Sequence, residues 1–550
     1  MIKQQMRPKK YYWILALALI ISFALRFYKL GVVPVGMYID ETAIGVDAYV
    51  VAETGKDVHG KPMLSALYKS YGDYKLPVYV LAASASVKIF GKSEFAVRFP
   101  SAAAGVASTL VVYFIAKQLF KQRKDVYLIS GITAVMHAIL PWDMLFSRTA
   151  FEGHFGQFLV LLMILFALKA VNDWRLSLLS ALFGSLALYT YYSIRFIVPV
   201  MYCSILLFYL LEKREKKLLL GFGMGMLLMG LLFIPMLHSP LYSDSQKLRL
   251  SSKNILHETE EYVQKSVFFR ERSPNSLVYR IFYHRYLYLI KELFKNYSAH
   301  VSPDFLFFSG DDNLRHSTQR VGVMLPAMLP FFLAGLYVMI KKYWKLGILL
   351  AIWFGISVLP AAVPVEVPHA LRSQNAIGLL PIILGLGAVE IYEWLSKRTY
   401  KRILMYLIGG LLILNLGYFL HDYFNHYPRR STEAWSDGNK QAALLIEEKR
   451  KSVNQIYVLS PVKLFFWTMF YGSFTPDEVR EMISNASVYF EETKVGNIYF
   501  QNAPWWQKID REGAFVIGWK DMVHRPEMID IQGTYELSKF GYLEINAQKP

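Results

Sequence analysis

The sequence predicts a polytopic α-helical membrane protein that ends in a folded α/β domain. Of its 550 residues, 54% are hydrophobic and 15% are aromatic, and the mean hydropathy is +0.28. Apolar runs of about twenty residues, the length that crosses a bilayer, recur along the chain. The net charge of +18 comes from basic residues at the ends of these runs. That pattern indicates membrane topology and contact with lipid headgroups, and it argues against nucleic acid as a partner.

The basic clusters predict about eleven transmembrane helices, because this number places every cluster on the cytoplasmic side. The first cluster, Lys3 to Lys10, makes the N-terminus cytoplasmic. The predicted spans, in chain order, are 11–30, 98–119, 126–146, one ending near 172, 176–191, 197–211, 218–237, 321–340, 347–362, 376–395 and 403–420.

Two modules are predicted, and the larger one contains two long outer loops. Residues 1–422 form the transmembrane module, whose outer loops are 31–97 and 239–320. The segment Leu76–Phe90 is too short to span comfortably and contains a lysine, so it is interpreted as a helix lying in the membrane interface. Residues 423–550 are predicted to form an extracytoplasmic α/β domain. Its expected strands are Gln455–Leu459, Asn497–Gln501 and Gly513–Gly518.

Two carboxylates, Asp40 and Glu41, follow the first apolar run directly and are not needed for membrane insertion. We interpret Asp40 as a catalytic base, with Glu41 beside it and Glu152 as a further acid on the same side of the membrane. The structural alternative is a helix N-terminus in which Asp40 is the cap and Gly55 ends the helix. A capping aspartate can also act as a base, so both interpretations stay open.

Cationic side chains are predicted to collect on the same outer face. Because arginine offers a planar donor fork and lysine a point charge, these residues suit a phosphate at headgroup depth. The alternative for each one alone is a headgroup anchor or a structural ion pair. The candidate phosphate-binding residues are Lys75, Arg148, Arg195, His369 and Arg372.

Several segments resemble the GT-C glycosyltransferases, in particular the protein O-mannosyltransferase and lipid A aminoarabinose transferase group. The segments are Tyr38-Ile39-Asp40-Glu41, Tyr74-Lys75-Leu76-Pro77, Phe90–Ala102, Phe146–Glu152, Ser302–Phe308 and Pro368–Arg372. The resemblance implies that Asp40 is the base, that Glu152 is the second acid and that Lys75 faces the donor phosphate. Aminoarabinose transferases carry Glu-Lys-Pro-Pro where this chain has Tyr74-Lys75-Leu76-Pro77, which weakens the case for a bound metal and for that acceptor.

The expected activity is transfer of a sugar from a polyprenyl-phosphate donor to an acceptor hydroxyl, with inversion, on the extracytoplasmic side. No cofactor is required, and the chain shows no glycine-rich nucleotide loop of the P-loop or Rossmann type. The expected partners are membrane lipid, the lipid-linked sugar, and a glycan, lipid or protein acceptor. The alternative functions are a transporter or flippase for lipid-linked glycans, or a non-catalytic subunit.

Residues of the large outer loop could hold a divalent cation, so a metal site stays an open alternative. His300 and Asp304 are the candidate ligands, with Asp311, Asp312 and His316 nearby in sequence. Paired aspartates near histidine can hold a divalent ion. Because Gly310-Asp311-Asp312-Asn313 also has the composition of an ordinary turn, the turn is the favoured interpretation.

Overall fold

The computed structural model describes ten stretches of the chain. They are residues 11–70, 73–212, 216–250, 259–272, 277–459, 461–485, 492–501, 514–523, 527–535 and 537–545. The basic residues Lys3 to Lys10, on which the predicted orientation of the N-terminus depends, lie outside the described residues.

The transmembrane part is almost entirely helical. Its N-terminal half contains α1 (Tyr12–Phe27), α2 (Ile39–Thr54), a hairpin of β1 (Tyr68–Ser70) and β2 (Asp73–Lys75), α3 (Pro77–Phe90), α4 (Glu94–Leu119), α5 (Val126–Ala138), α6 (Pro141–Ser147), α7 (Glu152–Lys169), α8 (Leu176–Leu188), α9 (Ile194–Glu212) and α10 (Lys216–Leu237). Then follow α11 (Tyr242–Leu250), α12 (Thr259–Glu271), α13 (Leu277–Phe282), α14 (Arg285–Ala299), α15 (Leu329–Lys342), α16 (Trp344–Ala362), α17 (Ala370–Ser373), α18 (Leu380–Ser396), α19 (Lys401–His421) and α20 (Tyr427–Arg430).

The number of spans differs from the prediction. Within the described residues, six helices are long and apolar enough to cross a membrane, or eight if two bent pairs each count as one span. Pro141 opens α6 and lacks a backbone N–H, and here the chain bends by 55° between α5 and α6. The helices α1, α3 and α8 are apolar but shorter. The membrane-spanning class is therefore confirmed, and the count of eleven is not.

The C-terminal part contains a six-stranded mixed sheet flanked by helices. Its elements are α21 (Asn439–Lys449), β3 (Gln455–Leu459), α22 (Pro461–Tyr471), α23 (Pro476–Asn485), β4 (Glu492–Val495), β5 (Ile498–Gln501), β6 (Ala514–Trp519), α24 (Lys520–Val523), β7 (Ile529–Gln532) and β8 (Leu537–Ile545). The strand order is β4-β5-β3-β6-β8-β7, with β5, β3 and β6 parallel and the outer pairings antiparallel. The three predicted strands are confirmed as β3, β5 and β6 to within one residue.

The sheet and its flanking helix α22 share a hydrophobic core with α2. On β3, Ile456 and Val458 face a core shared with α2, α3 and α22, while Tyr457 and Leu459 face a smaller cluster on the other side, as the two-residue period of a strand requires. The indole of Trp467 donates to the carbonyl oxygen of Met37 at 3.1 Å. The C-terminal part is therefore packed directly against the helix that carries Asp40.

Candidate active site

Asp40 lies in the first turn of α2, and its side chain is exposed. The N-cap is Tyr38, whose side chain makes no capping hydrogen bond, so Asp40 is not the cap residue itself. Gly55 ends the helix in the left-handed conformation with φ +67°, as expected. A carboxylate in a helical first turn is stabilised by the helix dipole, and an exposed one remains accessible to substrate.

Glu41, next to Asp40, has a quite different environment, since it is only 1% exposed. Its carboxylate accepts two hydrogen bonds from the Arg98 guanidinium, at 3.0 and 2.8 Å, and one from the Ala150 backbone N–H at 2.7 Å. Arg98 also donates to the carbonyl oxygens of Pro34 and Gly36. This buried clamp fixes the start of α2 against the loop that leads to Glu152, so Glu41 positions its neighbours.

Arg148 is fully buried and satisfied by the protein. It donates to four backbone carbonyl oxygens in and just after α1, at 2.7 to 3.3 Å, and to the Tyr423 hydroxyl at 3.2 Å. Cations suit the C-terminal end of a helix, where the last carbonyls lack intrahelical partners. Arg148 was predicted to bind phosphate, and the structure gives it a capping role in which its donors are occupied.

A chain of ring contacts brings the large outer loop to Asp40. The Arg315 guanidinium stacks on the Tyr38 ring, with its carbon 3.7 Å from the ring centroid. The neighbouring His316 ring lies 5.9 Å from Phe151 and 4.9 Å from His369, measured between centroids. The segments that carry Asp40, Glu152 and His369 are thus neighbours.

His369 is held by backbone contacts and is buried. The backbone N–H of His369 donates to His300 Nε2 at 3.0 Å, and His300 Nδ1 donates to the Asn296 carbonyl oxygen at 2.8 Å. Burial lowers the pKa of His369 to about 3, and His316 and Arg372 add to the effect. The His369 ring is therefore neutral at neutral pH. Arg372 lies three residues after His369, on α17, and is half-buried. Its guanidinium supplies the positive charge that the neutral His369 ring lacks.

The two residues named as possible metal ligands do not form a donor set. Both ring nitrogens of His300 are engaged, and the exposed Asp304 accepts a hydrogen bond from Ser309 at 2.8 Å. Within the described stretches, the group whose ligand atoms come together is Asp311, His316 and His369.

Lys75 and Arg195 are both linked to the β1–β2 hairpin that precedes α3. The Lys75 ammonium pairs with the Asp47 carboxylate at 2.9 Å, and burial raises the pKa of Asp47 although Lys75 lowers it. The Tyr192 hydroxyl donates to the Tyr74 carbonyl oxygen at 3.0 Å, and the Arg195 guanidinium stacks on Tyr192 at 4.6 Å. Both cations are thus tied to the hairpin at the start of α3.

Buried amides adjoin Glu152. A Cβ added to Gly153 would lie 2.0 Å from Gln374 Nε2 and 3.2 Å from a ring carbon of Tyr191, so glycine is required for this close approach. Gln374 is fully buried, and neither polar atom of its amide has a hydrogen-bond partner among the described residues. The same holds for Gln157, one turn further along α7, and for Asn375. Buried amides are usually satisfied, so such a group calls for an explanation.

An apolar cavity of about 690 Å³ lies among α15, α16 and α18. Val301 and Leu306 line one end, next to His300, and Trp344 and Ile340 line the other, near the basic end of α15. Its walls are almost wholly hydrocarbon side chains. The cavity therefore runs along these helices and reaches Val301, whose sequence neighbour His300 accepts the His369 backbone N–H.

Comparisons with known proteins agree with this architecture. Residues 75–239 match the family of dolichyl-phosphate-mannose-protein mannosyltransferases. The structure of ArnT from Cupriavidus metallidurans bound to undecaprenyl phosphate is similar, with 11% identity, a TM-score of 0.54, and coverage of 99% of this chain and 100% of that one. The protein has the fold of the GT-C glycosyltransferases.

Archaeal structures share this GT-C fold. The oligosaccharyltransferase AglB from Archaeoglobus fulgidus, in complex with an inhibitory peptide and a dolichol-phosphate, has 15% identity and a TM-score of 0.51, covering 94% of this chain and 70% of that one. An oligosaccharyltransferase of the same organism in complex with zinc and sulfate has 14% identity and a TM-score of 0.50, covering 92% and 68%. No curated protein sequence matches the chain significantly.

Sequence reasoning missed three residues that shape this candidate site. Arg98 and Asp47 carried a usable signal, since each is a charged residue within a mostly apolar segment that becomes buried, and such residues are paired. Arg315 gave no signal, because an arginine in a long polar loop looks like any solvated residue. Only the tertiary contact with Tyr38 distinguishes it.

Proposed function

We propose that the chain transfers a sugar from a polyprenyl-phosphate donor to an acceptor hydroxyl on the extracytoplasmic side of the membrane. The observation that carries the proposal is the exposed carboxylate of Asp40 in the first turn of α2, on a segment that contacts the loop packed against His369. The cations Lys75, Arg195 and Arg372, here called the cationic rim, and the apolar cavity that reaches Val301 support it. Two proteins of the same fold were solved with dolichol-phosphate and undecaprenyl phosphate. A lipid phosphate of this class is the ligand that the cavity and the rim suit together.

The isoprenoid tail of the donor suits the apolar cavity. The tail leaves bilayer hydrocarbon and not water, so the cavity binds it through van der Waals contacts with its apolar walls. The cavity ends at Val301, which directly follows His300, and His300 bonds to the backbone of His369. A tail in the cavity therefore delivers its phosphate toward Arg372, three residues beyond His369.

The base is Asp40 in this proposal. Its carboxylate takes the proton of the acceptor hydroxyl while that oxygen attacks the anomeric carbon. A new glycosidic C–O bond forms as the bond between the anomeric carbon and the phosphate oxygen breaks, and polyprenyl phosphate leaves. One displacement inverts the configuration at the sugar. General-base assistance of this kind contributes typically ~10²–10⁴-fold.

The cations neutralise the leaving phosphate. Arg372, Arg195 and Lys75 are assigned this role because each is a cation on a segment next to α2, α3 or the histidine cluster, although Lys75 is also paired with Asp47. Charge aimed at the departing group lowers the barrier selectively, since the group becomes more negative as the bond breaks. Glu152 is the first residue of α7, next to Gly153, which packs against Gln374, and it is assigned to orient the acceptor as the second acid.

The site is proposed to face the extracytoplasmic side, with the N-terminus in the cytoplasm. The C-terminal sheet then lies outside the membrane against α2 and forms the wall on the acceptor side. A glycan, a lipid or a protein can present the attacking hydroxyl there. The transmembrane module would end near residue 422, where α19 gives way to the segment that leads to the sheet.

Asp40→Asn tests the proposal directly. Purified protein is incubated with labelled polyprenyl-phosphate sugars and membrane acceptors, and the variant should lose at least about 100-fold in transfer rate. Its affinity for donor should stay near that of the wild type. The matched control is Glu53→Gln, which neutralises an exposed carboxylate at the far end of the same helix and should keep full activity. Normal turnover by Asp40→Asn would refute the proposed base and favour a flippase or a non-catalytic subunit.

A further inference from the structure

We propose that Asp311, His316 and His369 form a binding site for a divalent transition-metal ion of the zinc class. One carboxylate oxygen and one ring nitrogen from each histidine lie within 4.8 Å of one another. Ligand atoms on a tetrahedral zinc ion lie roughly 3.4 Å apart, so small side-chain rotations close the set around an ion. All three residues are buried, at 4%, 7% and 8% exposure, and Asp40 is not among them.

The donor chemistry selects the class of ion. Imidazole nitrogen suits zinc and its neighbours in the first transition series, while magnesium and calcium prefer oxygen ligands throughout. Two histidines with one carboxylate also leave a coordination position for an external oxygen. The site therefore discriminates against Mg²⁺, which is the abundant divalent competitor.

The ligands are already oriented by surrounding contacts. The Asp311 carboxylate accepts hydrogen bonds from the backbone N–H groups of Asn313 at 2.8 Å and Ala370 at 2.7 Å. His300 accepts a hydrogen bond from the backbone N–H of His369. Contacts of this kind fix ligands in place and commonly account for 10–100-fold of metal affinity, as an order of magnitude.

The structural alternative is a metal-independent latch. His316 Nδ1 lies 2.9 Å from the Asp311 carboxylate, and that carboxylate accepts the Ala370 backbone N–H and so ties the loop to α17. The latch uses the His369 ring only through Nδ1, which accepts the Arg372 backbone N–H and caps α17. A metal would instead take a ligand nitrogen from this ring, which lies 4.9 Å from that of His316. His369 therefore separates the two explanations.

A metal at this position would also contribute to donor binding, an inference that rests on the proposed glycosyltransferase function. The ion would lie among the segments that carry Arg315 and Arg372, where it would add positive charge to the rim that receives the donor phosphate. The open coordination position suits one phosphate oxygen. Donor binding should then depend on the metal.

The first experiment measures metal binding by the full-length protein in detergent. After treatment with a chelator, the wild type is titrated with Zn²⁺ by calorimetry, and its metal content is measured by mass spectrometry. It should bind one equivalent, with excess Mg²⁺ failing to compete. His369→Gln should weaken binding at least about 100-fold. Asp311→Asn provides a second variant in case the first one misfolds.

The matched control is His421→Gln. The rings of His421 and His426 also lie 4.9 Å apart, but both residues are exposed and belong to no group of ligand atoms within the described chain. Zinc should bind this variant as it binds the wild type. Absence of zinc binding by the wild type, equal competition by Mg²⁺, or unchanged affinity in both ligand variants would overturn the site.

The second experiment measures binding of undecaprenyl phosphate with and without zinc. Zinc should tighten the binding by about 10-fold in the wild type and leave His369→Gln unaffected. Equal binding with and without zinc would overturn the role in phosphate binding. If zinc binds but the lipid binds under neither condition, the metal site stands and the proposed function fails. If the lipid binds but zinc does not, the proposed function stands and the metal site fails.

Discussion

Arg148 and Arg372 were assigned the same role from sequence, yet the fold treats them differently. Arg148 is fully buried, and its guanidinium donates to backbone carbonyls around the end of α1 and to Tyr423. Arg372 is half-buried on the short helix α17, beside the histidine cluster. Both were predicted at the outer ends of apolar segments, so the predicted topology did not separate them.

The difference shows what a phosphate-binding arginine requires. A guanidinium has five N–H donors, and those already engaged by the protein are withheld from a ligand. Arg148 uses its donors to hold α1, α6 and the loop between α1 and α2 together. The same contrast separates the buried Glu41, which accepts three hydrogen bonds, from the exposed Asp40 beside it.

Replacing Arg148 should have the largest effect on stability. Arg148→Met leaves several buried carbonyl oxygens without their donor, each costing about 1–3 kcal/mol, so we expect a loss of about 3 kcal/mol or more. Thermal unfolding in detergent measures it. Arg372→Met serves as the matched control and should unfold near the wild-type temperature. If Arg148→Met kept normal stability and lost only donor affinity, its assignment would return to phosphate binding.

Replacing Arg372 should have the next largest effect, and on binding instead of stability. Losing one charged donor to a phosphate costs about 1.5–3 kcal/mol, which corresponds to roughly 10–100-fold in donor affinity. Binding of undecaprenyl phosphate to Arg372→Ala measures this loss. Arg175→Ala, at the exposed start of α8 on the predicted cytoplasmic side, should bind as the wild type does. Equal affinities for the two variants would argue against a phosphate role for Arg372.

The helices and the core strands were predictable because their signals are local. Apolar runs located the helices, and short, mostly apolar blocks located β3, β5 and β6. The bend between α5 and α6 also had a local cause, Pro141, which the count of spans ignored. The antiparallel strands β4, β7 and β8 were missed, since they mix polar and apolar residues and lack the continuous apolar pattern of the buried parallel strands.

The membership of the site was only partly predictable, because burial depends on contacts far apart in sequence. The sequence marks Asp40 and Glu41 alike, but Arg98, 57 positions further on, buries one of them. His369 was selected for phosphate, and its neighbours Asp311 and His316 come from a loop more than 50 positions earlier. Periodicity and spacing carry no information about such encounters.

The smallest predicted effect is a change in stability on replacing Gln374, whose amide is buried, compared with Gln118, whose amide is hydrogen-bonded. The two polar atoms of the Gln374 amide lack partners among the described residues, whereas the Gln118 amide donates to the Leu168 carbonyl oxygen at 3.1 Å. Gln374→Leu has a similar volume and removes the cost of an unsatisfied group, so we expect a gain of about 1 kcal/mol in stability. Gln118→Leu breaks a hydrogen bond that is made and should lose stability by about the same amount.

Activity then decides what the Gln374 amide is for. Residues kept for function at a cost in stability become more stable and less active when replaced. If the amide contacts the sugar or the acceptor beside Glu152, transfer by Gln374→Leu should fall about 10-fold while Gln118→Leu stays active, because one lost hydrogen bond is worth about 1 kcal/mol or slightly more. A stabilised variant with full activity would place Gln374 outside the site. If Gln374→Leu is less stable than the wild type, the amide makes hydrogen bonds within the protein, and Gln374 is not part of the substrate site.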